Sequence, residues 1–68
     1  MIIRIGIVAG DIWHLLDDKG PLTLTTIASS LEHPKDIVLM SVGWLAREGH
    51  VILEKEGNDL KVILGKES

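Results

Sequence analysis

Apolar positions in the first quarter of the chain recur at the step of a helix. Ile5, Val8, Ile12, Leu15 and Leu16 are three or four residues apart, which gathers them on one side of a 3.6-residue turn. The spacing predicts a helix from about Ile3 to Asp18, stopped by Gly20 and Pro21. Gly6 and Gly10 fall inside it, each at a cost of about 1 kcal/mol relative to alanine. They lie four residues apart next to Ala9, a smooth strip that lets another backbone approach closely. The alternative reading is a frayed first turn with Gly6 in a loop.

The pattern then changes. Leu22-Thr23-Leu24 alternates like a short extended piece, and Thr25 suits an N-cap whose hydroxyl takes an orphan backbone N–H. A second helix is expected over Thr26–Leu31, with Ile27, Ala28 and Leu31 inward. Glu32 and His33 make the turn, and Pro34 fits the first turn of a third helix, where its missing N–H costs nothing. That helix runs to about Glu48, and Gly49 fits the left-handed residue after it.

From Val51 the period is two. A Gly57-Asn58 loop sets a hairpin in which Glu56 faces Asp59, Lys55 faces Leu60, Glu54 faces Lys61, Leu53 faces Val62, Ile52 faces Ile63 and Val51 faces Leu64. Glu54 opposite Lys61 is favourable, whereas Glu56 opposite Asp59 sets like charges together. Val51, Leu53, Leu60, Val62 and Leu64 share the face expected to be core. Ile52 and Ile63 share the other face and need a cover, from a partner or from the chain's termini. Residues 65–68 read as a loose tail. The order helix, turn, helix, hairpin predicts an α+β winged helix-turn-helix: three helices on a small antiparallel sheet, with the wing hairpin over residues 51–64 and one domain over residues 1–68.

Function turns on the third helix. Val38, Val42 and Leu45 make an inward stripe, extended on one flank by Ile37, Ser41 and Trp44, which places Trp44 toward the core. The opposite side carries Lys35, Asp36, Leu39, Met40, Gly43 and Arg47. In a DNA reader this side enters the major groove, where arginine, asparagine, glutamine, serine and threonine bond base edges. Leu39, Met40 and Gly43 offer at most a contact to a thymine methyl. Lys35 and Arg47, with Lys55 and Lys61 of the wing, are the candidate nucleic-acid contacts, and phosphate contacts position a protein without specifying sequence. Lys35 and Arg47 balance Asp36 and Glu48, and the wing's Glu54, Glu56 and Asp59 outnumber Lys55 and Lys61 by one. Two readings stay open: a noncatalytic DNA-binding, transcription-regulator-like module, by analogy of fold, or a homodimeric module whose recognition-helix face meets protein. For the second, the candidate interface is Gly6, Gly10, Trp13, Leu39, Met40, Gly43, Trp44, Ile52 and Ile63.

Composition shifts the balance. At 68 residues, with 46% hydrophobic content, some apolar surface is expected to stay exposed after the monomer folds, a homodimer signal. The formal charge of −3 opposes strong nonspecific nucleic-acid binding. No cysteine is present, which excludes disulfides and fits a reducing cytoplasm. The apolar start, from Met1 to Gly10, has no basic stretch before it and is too short for a signal peptide's pattern or a membrane span.

Chemistry has little to stand on. His14, His33 and His50 lack metal-ligand spacing, so no metal or cofactor is expected. Asp17 and Asp18 read as a solvated helix end. Ser29, Ser30 and Ser41 sit in no nucleophile motif, and the glycines form no phosphate loop. No catalytic residue is expected. Trp13 and Trp44, the two aromatics, suit either core filling or an interface anchor.

Ile5-Gly6-Ile7-Val8-Ala9-Gly10-Asp11-Ile12-Trp13-His14-Leu15-Leu16 and Val42-Gly43-Trp44-Leu45-Ala46-Arg47-Glu48 together resemble a family of small prokaryotic winged helix-turn-helix proteins catalogued as a domain of unknown function. The likeness spans roughly Gly6 to Leu64. It implies a stand-alone winged helix, dimeric, with no assigned enzymatic activity, and it sets Gly10, Trp13, Gly43, Trp44 and Arg47 on motif positions.

Overall fold

The computed structural model describes residues 2–65. Its elements are α1 (Ile2–Lys19), β1 (Leu22–Thr23), α2 (Leu24–Leu31), α3 (Lys35–Arg47), β2 (Val51–Glu56) and β3 (Asp59–Leu64). The sheet is antiparallel with strand order β1-β3-β2, so β3 is central and β2 forms an edge. The predicted winged helix-turn-helix is the observed fold, and every β2–β3 pair falls in the predicted register.

The apolar spacing explains the core. Val8, Ile12 and Leu16 of α1 meet Ile27 of α2, Val38 and Val42 of α3 and Val62 of β3, all fully buried. Ser41 is also fully buried, and its hydroxyl donates to the Ile37 carbonyl at 2.8 Å, so the polar atom sits inside without an unmet bond. Gly49, at φ +81°, turns the chain out of α3 and into β2. Gly57, at φ +63°, supplies the positive φ that the two-residue hairpin loop requires.

Several local expectations change. The cap of α2 is Thr23, not Thr25: the Thr23 hydroxyl accepts from Thr26 N–H at 3.2 Å, and Leu24 begins the helix instead of ending the extended piece. The strand stops early because β1 pairs with β3 only at Leu22 and Thr23. Thr25 has a different part, since its N–H donates to the Asp59 carboxylate at 3.4 Å. Pro34 is the N-cap of α3, and its carbonyl accepts from Val38 N–H. Glu32 closes α2 in the left-handed region at φ 55°, a conformation uncommon outside glycine and asparagine.

Two apolar residues are less buried than predicted. Trp44 is 48% exposed and lies outside the core. It sits far enough round α3 from Val38 and Leu45 to leave the inward stripe. Leu53, although on the face of Val51 and Val62, is 37% exposed on edge strand β2, which has a neighbouring strand on one side only. Gly65, assigned to the tail, is tied in by its N–H bond to the His50 carbonyl at 2.8 Å; residues 66–68 lie outside the described residues.

Candidate interaction surface

The outer side of α3 is built by default. Once Val38, Val42 and Leu45 are committed inward, the 100° step sends Asp36, Leu39, Met40, Gly43 and Arg47 outward. Leu39 is 47% exposed and Met40 41%, with Gly43 open between them and Trp44 on one border. This predicted ridge is therefore present as solvent-facing apolar surface. Lys35 and Arg47 sit exposed at its two ends, about 18 Å apart at the helical rise. Asp36 lies in the first turn, where its carboxylate accepts Ile37 N–H at 2.8 Å and meets the positive end of the helix dipole.

The wing adds no cationic surface of consequence. Lys55 is exposed, but Lys61 is half-buried in central β3 opposite Glu54. The Asp59 carboxyl is held below its ordinary acidity range, chiefly by the Leu60 backbone N–H at 2.9 Å, then by Thr25, with a smaller pull from the Lys35 charge. The like-charge Glu56–Asp59 pairing is thus compatible with the hairpin, because the Asp59 carboxylate is engaged by backbone donors.

On α1, Gly6 and Gly10 belong to the helix, which rules out the frayed-turn reading, but they do not share Ala9's environment. Ala9 is buried, whereas both glycines are exposed, and a Cβ on either would meet nothing within 4 Å. No backbone of this chain's described residues packs on the strip. Ile3 and Ile7 are exposed and share that outer side by helical spacing, a feature the sequence reading missed although the same i, i+4 steps reveal it. Trp13 is exposed, its ring meeting His14 edge-on at 5.4 Å. Ile52 is exposed on the outer face of the wing, and its cross-strand neighbour Ile63 is half-buried. The candidate interface residues therefore divide among three places: α1, α3 and the wing.

Among the described residues there is no pocket, no group of three or more histidine or acidic side chains suited to a metal, and no helix long and apolar enough to cross a membrane.

The MJ1608 protein of Methanocaldococcus jannaschii is 39% identical to this chain over an alignment covering 78% of this chain and 79% of that protein. The solution NMR structure of protein BT2368 from Bacteroides thetaiotaomicron superposes with a TM-score of 0.79 at 26% identity, over 90% of this chain and 74% of that one. The model of a winged helix-turn-helix domain family, DUF2582, matches residues 1–64. This chain belongs to that family of winged helix-turn-helix domains.

Proposed function

We infer that this domain is a noncatalytic, cytoplasmic, homodimeric interaction module that uses α3 to meet an apolar protein surface instead of reading base sequence. The observation that carries the reading is the exposed run of Leu39, Met40, Gly43 and Trp44 where a DNA reader needs polar and cationic side chains. Exposed apolar surface of this kind is what partner sites are built from. The charge balance supports it: α3 with its Glu48 cap sums to zero, and the wing is net acidic.

A second reading, a DNA-binding regulator, is favoured by the family's fold and by Lys35 and Arg47 standing exposed at the ends of α3, with Lys55 on the wing. Fold alone does not decide between them. Titrating salt against binding of a random-sequence duplex separates the two. Phosphate contacts give a log–log slope of about −0.9 for each one made. The protein-docking reading expects no detectable complex at low salt. A slope of about −2 or steeper, flattened by Lys35→Gln or Arg47→Gln, would refute it.

A further inference from the structure

The edge of the wing carries an inference that does not depend on what α3 binds. The His50 carbonyl accepts from Gly65 N–H at 2.8 Å, so residue 50 bonds toward β3. Backbone direction alternates along a strand, so Ile52, Glu54 and Glu56 also bond to β3. The backbone N–H and C=O groups of Val51, Leu53 and Lys55 therefore point the other way, to the open edge of the sheet. Open edges are commonly guarded by charge, proline or a bulge. Here Glu54, Lys55 and Glu56 guard the end near the loop, whereas Val51-Ile52-Leu53 is an unguarded apolar run with Ile52 53% exposed.

We propose that two copies of this chain pair β2 against β2, antiparallel, with Ile52 opposite its own counterpart and Val51 opposite Leu53 of the second copy. A twofold axis perpendicular to the sheet keeps the two faces aligned, so only pairings between residues of like parity are allowed. Among these, the proposed register sets each residue of the apolar run against an apolar residue. Moving the centre to Leu53 sets Ile52 against Glu54 and Val51 against Lys55. Moving it to Glu54 sets that carboxylate against itself, and moving it to Val51 carries Leu53 to Gly49, whose φ of +81° has left the strand. The favoured register also meets the hydrogen-bond requirement. Val51 and Leu53 have outward backbone groups, so each Val51–Leu53 pair exchanges two N–H···O bonds, while the Ile52 pair is the non-hydrogen-bonded kind that brings side chains closest. It covers the exposed Leu53, places His50 opposite Glu54 of the second copy, and joins two three-stranded sheets into one. The area involved is small, so the dimer belongs with weak, concentration-dependent associations.

The test uses the cysteine-free background. In the proposed register the two Ile52 Cα atoms are about 4.5 Å apart, within disulfide reach. Ile52→Cys is expected to oxidise to a covalent dimer. Glu54→Cys should remain a monomer, because its counterpart lies about 14 Å along the strand. Ile52→Lys should reduce the sedimenting mass to that of one chain, with the circular dichroism spectrum unchanged because the side chain is exposed. The proposal is overturned if the unsubstituted chain stays monomeric at about 1 mM. It is also overturned if Leu53→Cys crosslinks in place of Ile52→Cys, or if Leu39→Glu breaks the dimer and Ile52→Lys does not. The last result would place self-association on α3 and leave the protein-docking reading standing.

Discussion

Leu39→Glu should be tolerated by the fold, while Val38→Ala, one position away, should not. The two residues differ in which side of α3 they occupy: Leu39 is 47% exposed and Val38 is fully buried. Full burial of a leucine is worth about 1.5–3 kcal/mol, and Leu39 realises about half of that, so its replacement costs about 1 kcal/mol. Val38→Ala removes two buried methyl groups, about 1.6 kcal/mol of transfer energy, and leaves a cavity among Ile12, Val42 and their neighbours, about 2–3 kcal/mol in all. A chain of this length has about 3–10 kcal/mol of stability, so the second change removes a large share and the first does not. In melting temperature the costs are about 4–8 °C for Leu39→Glu and about 10–20 °C for Val38→Ala. Thermal and urea unfolding followed by circular dichroism measures both. Equal losses would mean that Leu39 is packed within the protein, and the outer face of α3 would lose its claim as a docking surface.

Three further changes test local features. Thr23→Ala should cost about 1 kcal/mol by removing the α2 cap, and Thr25→Ala less, since Thr25 caps no helix and its backbone N–H keeps its bond to Asp59; matched urea midpoints would contradict that assignment. Glu32→Gly should raise stability by about 0.5–1 kcal/mol by relieving a left-handed glutamate with no hydrogen-bonded side chain, and a loss would show that its packing matters more than its backbone strain. Asp59 should titrate below the ordinary 3.8 when followed by NMR. Its pKa is lowered in the folded state, so its stabilising effect is present above the unfolded value and disappears as pH falls through the folded one. The stability gap between the parent and Asp59→Asn should therefore be open at neutral pH and close on acidification below about 4, and a gap that widens there would reverse the sign.

The parts of this fold legible in the sequence are those where a period and a breaker agree. The hairpin register follows from a two-residue Gly57-Asn58 loop between alternating runs, and a one-residue slip would have turned Val51 and Val62 outward. The α3 stripe was legible for the same reason. The misses share a different cause. Thr23 and Thr25 are equally good caps in isolation, and the choice between them is made by β1 ending after two residues on a strand about forty positions later in the chain. Trp44 and Leu53 share a period with buried neighbours, but period reports direction and not depth. Trp44 lies at the border of its stripe and Leu53 lies on an edge strand, so each is left partly in water. Ile3 and Ile7 follow the same four-residue step on the outer side of α1, and their exposure is the part of that face that spacing alone does not distinguish from core.

The exposed apolar residues are a consequence of topology as much as of composition. A winged helix leaves two things open: the outer face of its third helix and the outer edge of its second strand. In a DNA reader the first is filled by the major groove and the charge needed there is positive. In this chain α3 is balanced and the wing is acidic. Neutralising phosphate is the dominant source of affinity for nucleic acid, so a face without surplus cations forfeits that contribution while retaining the desolvation benefit of Leu39, Met40 and Trp44. That benefit is realised only against another apolar surface. The strand edge follows the same logic with backbone groups in place of side chains: Val51 and Leu53 present unpaired donors and acceptors beside apolar side chains, a combination that another strand satisfies and a phosphate backbone does not. On the two proposals made above both open features of the fold take protein, and they lie on different elements, so one copy would use the strand edge for its own kind while α3 stays free for a different partner.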